Sequence, residues 1–188
     1  MVGADPSFNE THLLRTLFLL HSNQIGRKRL VKLLGVGEGS VRTIIKRLSA
    51  EGLITSAKLG HSLTPHGKAY VERKLEAMSK PQPINLSHLV SAEQSIIILR
   101  GAADKVGDGV ALRDIALKAG ADGAVVLVYK DGALRFPGGG LKMSDYMPDG
   151  ERLLSIGVCP SDALIIGFGR SQHAAEDGAV AAALSLLT

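Results

Sequence analysis

Between Gly26 and Gly67 the residues spell a short helix, a glycine-rich turn, a second helix, a two-stranded hairpin and the start of another helix. No other stretch constrains the fold as much. Leu30, Val31, Leu33 and Leu34 make one apolar face, and Gly35 supplies a C-terminal stop. In the turn from Gly35 to Gly39, Val36 is the one apolar residue and is expected to plug the angle between the helices. Ser40 has the side chain of an N-cap. From Ser40 to Glu51, Val41, Ile44, Ile45 and Leu48 recur at helical spacing, and Gly52 ends the run. Arg42, Thr43, Lys46 and Arg47 are left on the opposite face. Cations and a threonine on one exposed stripe suit a groove walled by phosphates and floored by base edges.

The hairpin follows at once. Leu53 to Ala57 reads as a strand, Lys58-Leu59-Gly60-His61 as a tip, and Ser62-Leu63 as the return. Thr64 is expected to cap a helix that takes Pro65 at its first position and runs through Ala69, Val71, Leu75 and Met78. Upstream, Leu13, Leu14, Leu17 and Phe18 form the inward face of a first helix. The series Glu51-Gly52-Leu53-Ile54, Gly60 and Leu63-Thr64-Pro65-His66-Gly67 resembles the winged-helix domains of prokaryotic transcription regulators, over about residues 8–79. That resemblance implies duplex DNA as partner. Arg42, Thr43 and Lys46 are then expected in the major groove, and Ser40 at the helix start is expected among the DNA-binding residues. Arg27, Lys28, Arg29, Arg47, Lys58 and His61 are expected on phosphates. The competing reading is a protein- or RNA-interaction module, because a basic amphipathic helix also serves as a solvated or docking face.

Charge is divided unevenly. Residues 1–80 hold 13 Lys and Arg against 6 Asp and Glu, while residues 81–188 hold 9 against 12. The excess positive charge therefore lies wholly in the segment with the helix-turn-helix pattern, where a local cationic field would draw a polyanion. Aromatic residues are 4% of the chain and Trp is absent, which argues against stacking platforms for single strands. A single cysteine, Cys159, excludes an intramolecular disulfide and any cysteine-based zinc site. No apolar run has membrane-spanning length and the first residues lack a signal-peptide pattern, so a cytoplasmic location is expected.

Ser79-Lys80-Pro81-Gln82-Pro83 combines a helix stop with a stretch that favours extended backbone. It divides the expected domains: 1–80 for DNA, 81–83 as linker, and 84–188 for effector binding or dimerisation. Beyond it, Ser95–Leu99, Ala124–Tyr129 and Ala163–Phe168 read as strands, and Asp131-Gly132 as a hairpin turn into Ala133–Phe136. Leu112, Ile115, Ala116 and Ala119 mark a helix closed by Gly120, and an alanine-rich helix runs from His173 to Leu187. The fold class expected is α+β: an N-terminal winged helix-turn-helix and a C-terminal two-layer sandwich with a mainly antiparallel sheet. Arg113-Asp114-Ile115-Ala116, Gly120-Ala121-Asp122-Gly123-Ala124 and the ending from Asp162 to Leu187 resemble archaeal winged-helix regulators with an uncharacterised C-terminal domain. The fold of that domain is similar to the small inserted domain of bacterial aspartyl-tRNA synthetases.

Chemistry in the second half is sparse. Gly138 and Gly139 after Phe136-Pro137, and Gly169-Arg170-Ser171 between a strand and a helix, are candidate ligand positions, with Arg170 as counter-charge. Neither run matches a phosphate loop or dinucleotide fingerprint, and tight-turn geometry explains both as well. Asp145, Asp149 and Glu151 read as a solvated acidic loop with no histidine to complete a metal site. No serine, cysteine or lysine stands in a recognisable nucleophile setting. The sequence thus leads to expectations of no catalysis, no metal and no cofactor. The expected partners are duplex DNA, a second copy of the chain and a small-molecule effector.

Overall fold

Asn9 opens the first helix, α1 (Glu10–Ser22), by accepting a hydrogen bond from the Thr11 N–H at 3.1 Å, and His12 returns a capping contact to the Asn9 backbone. The computed structural model describes residues 8–89 and 93–187; the outermost residues of the expected domains, 1–7 and 188, lie outside them. Contacts divide the chain into two units, Met1–Leu75 and Glu76–Thr188. In the first, Leu13, Leu14, Leu17 and Phe18 of α1 are buried, as their spacing predicts. The second helix, α2 (Arg27–Leu34), ends at Gly35, whose φ of 72° is left-handed and whose N–H donates to the Val31 carbonyl. Arg15, only 1% exposed, reaches from α1 to the end of α2. Its Nη2 donates to the Leu33 carbonyl at 2.9 Å and its Nη1 to the Leu34 carbonyl at 3.5 Å. A cation is favoured at that pole of a helix, and it satisfies carbonyls with no partner inside the helix.

The next helix, α3 (Glu38–Ala50), buries Val41, Ile44 and Leu48. Its N-cap lies three residues before the expected one. Gly37 is the N-cap and makes no side-chain cap, so Ser40 lies within the first turn rather than at the cap. The backbone turn made by Gly35 and Gly37 sets the helix start without a hydroxyl. Strands β1 (Ile54–Ala57) and β2 (Gly60–Leu63) pair antiparallel from Ile54↔Leu63 to Ala57↔Gly60, which leaves Lys58 and Leu59 as the tip. Thr64 caps α4 (Pro65–Ala77): its Oγ1 accepts from the Gly67 N–H at 2.9 Å and donates to the Gly52 carbonyl at 2.6 Å.

The second unit contains β3 (Gln82–Ile84), β4 (Glu93–Leu99), α5 (Val110–Lys118), β5 (Gly123–Lys130), β6 (Ala133–Arg135), β7 (Ala163–Gly169) and α6 (Gln172–Ser185). They give one sheet in the order β3-β4-β7-β5-β6, every neighbouring pair antiparallel. The expected linker residues 81–83 do not form a free connection. Gln82 and Pro83 pair with Ile96 and Ser95 as part of the edge strand, the position in a sheet where a residue without an N–H is tolerated.

The sheet is covered on both faces, which corrects the two-layer expectation. Ile96, Ile98, Leu127, Leu164 and Ile166 pack with Met143, Met147 and Leu153. Those last three come from two 3-10 segments, Met143–Asp145 and Pro148–Ile156. Helices α5 and α6 pack against each other and against the sheet. At Gly167 of β7 a Cβ would stand 2.3 Å from the Ala175 carbonyl oxygen, so α6 can approach this strand only where the side chain is missing. The physical reason for cover on both sides is already in the second half of β4, where the unbroken apolar run Ile96–Leu99 offers no polar face to water.

Candidate nucleic-acid interface

The outward ridge of α3 is built from Gly39, Thr43, Lys46 and Ala50, all exposed and spaced by three or four residues, with Arg42 and Ser49 beside it. Small residues along the ridge let the helix backbone come close to a surface, and the long side chains of Arg42 and Lys46 extend beyond it. Thr43 turns its hydroxyl back to the Gly39 carbonyl at 3.1 Å. Arg42 has 70% of its side chain exposed.

Beside the ridge runs an open groove of about 640 Å³. The start of α2 contributes Arg27, Lys28 and Arg29, α3 contributes Arg42 and Ile45, and the hairpin contributes Lys58, Leu59 and His61. The structure therefore brings six of the predicted DNA-contacting residues together from three elements. Backbone pairing fixes the third of these elements. Ile25 donates to the His61 carbonyl at 3.0 Å and accepts from the His61 N–H at 2.9 Å. At Gly60, with φ of 135°, a Cβ would lie 2.7 Å from the Ile25 carbonyl carbon. Only glycine permits this contact, which holds the hairpin against the start of α2.

Two side chains tune the groove. His61 Nδ1 lies 2.8 Å from Ser56 Oγ. Partial burial, and after it the charge of Arg27, holds the imidazole below its ordinary value and so favours the neutral ring. Glu38, in the first turn of α3, places Oε1 3.2 Å from Arg27 Nη2 and 3.8 Å from Arg42 Nη2. The sequence reading assigned Glu38 no role. Its signal was present, a lone carboxylate among cations at a helix start.

Arg47 departs from its expected role on phosphate. Its Nη2 meets Glu10 Oε1 at 2.7 Å and its Nε meets Glu51 Oε1 at 3.0 Å. Donating to the Glu51 carboxylate, and then to that of Glu10, raises its pKa further. Its guanidinium ties the start of α1 to the end of α3. Helical spacing places Arg47 on the edge of the exposed stripe, and only the position of α1 reveals which neighbour it meets. Ser40, half-buried in the first turn of α3, is not among the residues lining the groove.

In the second unit the five proposed ligand positions lie in two turns. Gly138 and Gly139 sit in the loop after β6, closed by Phe136 N–H donating to the Leu141 carbonyl and Arg135 Nη1 donating to the Gly140 carbonyl. Gly169 ends β7, Arg170 is 94% exposed at 3.9 Å from Asp122, and the Ser171 hydroxyl caps α6 by accepting from the Ala174 N–H. Gly138, with φ of 80°, and Ser171, the cap of α6, have roles in the turns themselves. A different feature, an apolar groove of about 230 Å³, is lined by Val110, Val125, Phe136 and Pro137. Its walls come from three separated segments, so no local motif announced it.

Asp145 and Glu151 are exposed as expected, but Asp149 is not simply solvated. Its Oδ2 accepts from the Ser87 N–H at 2.7 Å and the Ser87 hydroxyl at 2.9 Å, and these bonds hold its carboxyl below the ordinary range. His88 Nδ1 stands 3.1 Å from the same hydroxyl. The Ser87 hydroxyl thus lies between the Asp149 carboxylate and the His88 ring. Among the described residues no group of three or more His, Cys, Asp or Glu side chains is placed to hold a metal ion. No described helix is long and apolar enough to cross a membrane.

Comparison with known proteins adds family but no activity. Residues 90–186 match the family model of a domain of unknown function, DUF4443, and residues 11–69 match the PH0730-like N-terminal domain. Among solved structures, the chain is similar to the hypothetical protein PH0730 from Pyrococcus horikoshii OT3. The two share 26% identity over 96% of this chain and 93% of that one, with a TM-score of 0.78. No curated protein matches the chain.

Proposed function

The chain belongs to the DUF4443 family and carries a PH0730-like N-terminal domain, and from that premise we propose that it is a transcriptional regulator binding duplex DNA through a winged helix-turn-helix in its first unit. In this reading α2 and α3 are the helix-turn-helix, β1 and β2 are the wing, and α3 lies in the major groove with Arg42, Thr43 and Lys46 toward base edges. Arg27, Lys28, Arg29, Lys58 and His61 hold phosphates and fix the register, while sequence is read from the ridge. The second unit pairs two copies about a two-fold axis, takes a small effector, or does both. Catalysis, metal and cofactor have no part in the reading, and the regulator works in the cytoplasm.

One observation carries the proposal: side chains from α2, α3 and the hairpin converge on one groove beside an exposed ridge of small residues. The concentration of net positive charge in residues 1–80 supports it, since counterion release supplies most of the affinity of such surfaces. The test is a gel-shift selection with the full chain, random genomic duplex fragments and rising salt. Enrichment of a common sequence is expected. Sequence-blind retention, or none, would instead favour an interaction module for RNA or protein.

A further inference from the structure

From residue 26 to residue 50 the chain holds seven Lys and Arg side chains and one carboxylate, Glu38. A carboxylate there weakens attraction to phosphate, and an exposed ion pair contributes little to stability. Its position is nevertheless specific. Glu38 lies in the first turn of α3, the end of a reading helix that approaches base edges. Its side chain is 56% exposed, and Oε1 stands between Arg27 of α2 and Arg42 one turn further along α3.

We propose that Glu38 is a specificity-determining residue that accepts a hydrogen bond from the exocyclic amine of a cytosine in the major groove. This rests on the reading of the first unit as a DNA-binding domain. An ionised carboxylate only accepts, so it repels the O6 and N7 acceptors of guanine and the O4 of thymine. Adenine offers an amine, but its N7 acceptor lies beside it and opposes a second carboxylate oxygen. Cytosine presents N4–H₂ without that neighbour. Arg42, a donor-only fork, suits guanine O6 and N7. Glu38 and Arg42 stand one turn apart on one face of α3, with Oε1 3.8 Å from Nη2, so both side chains reach the same end of the reading helix. In the free protein Glu38 holds both arginines at the groove and lowers its attraction for arbitrary sequence, so affinity depends on meeting the matching base.

The test is selection of duplex sites from a random pool by the full chain, repeated with Glu38→Gln and Glu38→Ala. Thermal unfolding verifies that each variant is folded. The wild-type chain is expected to enrich cytosine at one position beside a guanine. Glu38→Gln is expected to change that position to adenine, because an amide matches N6 and N7 together. Glu38→Ala is expected to lose about 5- to 150-fold of discrimination there and to bind arbitrary duplex more tightly. If both variants keep the wild-type base preference at every position and merely gain affinity, Glu38 is a surface ion pair and the inference is overturned. If the wild-type chain binds duplex but selects no sequence, or does not bind, the regulator reading itself fails and this inference with it.

Discussion

Arg42, Lys58 and Arg47 are all exposed cations of the first unit, yet their surroundings assign them different consequences on substitution. Arg42→Ala is expected to cost about 1–3 kcal/mol at one base position and to spare the others. Lys58→Ala, at the hairpin tip, is expected to weaken all sequences alike and to reduce the salt slope by about one contact. Arg47→Met is expected to leave the salt slope unchanged, since its partners are Glu10 and Glu51. Binding isotherms for a selected and a scrambled duplex distinguish the three. His61 couples the groove to pH. Its depressed folded-state pKa means the unfolded chain binds the proton more readily, so its contribution to stability grows as pH rises through the ordinary histidine range of about 6.5 and is lost on acidification. A neighbouring phosphate has the opposite preference. Duplex affinity is therefore expected to rise as pH falls from about 8 to about 6, and His61→Gln to flatten that dependence. An identical pH profile in the variant would remove His61 from the interface. At this scale residue type was legible in the sequence, but pairing was not. Arg15, Arg47, Glu38 and Asp149 each take their role from a partner on another element.

At the scale of elements, the hairpin depends on two backbone hydrogen bonds to Ile25 and on the missing side chain at Gly60. Gly60→Ala is expected to displace the hairpin from the start of α2, because the new Cβ would press on backbone rather than on a side chain that can rotate. The measurement is amide exchange at Ile25 and His61, which should accelerate, together with weaker duplex binding at all sequences. Unchanged protection would mean that the hairpin keeps its position by other contacts. Elements marked by their own chemistry were legible: Gly35 after α2, Thr64-Pro65 before α4, Asp131-Gly132 between β5 and β6. The start of α3 was displaced because a glycine turn can begin a helix as well as a hydroxyl can. The edge strand at Gln82–Ile84 was hidden because proline is equally at home in a linker and on an edge. The 3-10 segments from Met143 to Ile156 have no strong period, and their place is set by the sheet face they cover.

At the scale of the molecule, the two units carry opposite charge balances and different kinds of surface. The first presents a basic groove beside a ridge of small residues. The second offers a sheet buried on both faces and an apolar groove. That division was legible from composition alone, whereas the geometry of either groove needed distant segments brought together. It favours a chain in which one unit meets a polyanion and the other meets its own copy or a small apolar ligand. The most direct measurement is fluorescence anisotropy of the full chain on a selected duplex and on a scrambled one, across a range of salt. Affinity for both is expected to fall with salt at a log–log slope of about −0.9 per phosphate neutralised, with the selected duplex roughly 1,000-fold tighter or more throughout. Equal affinity for the two duplexes, or binding that salt does not weaken, would contradict the account.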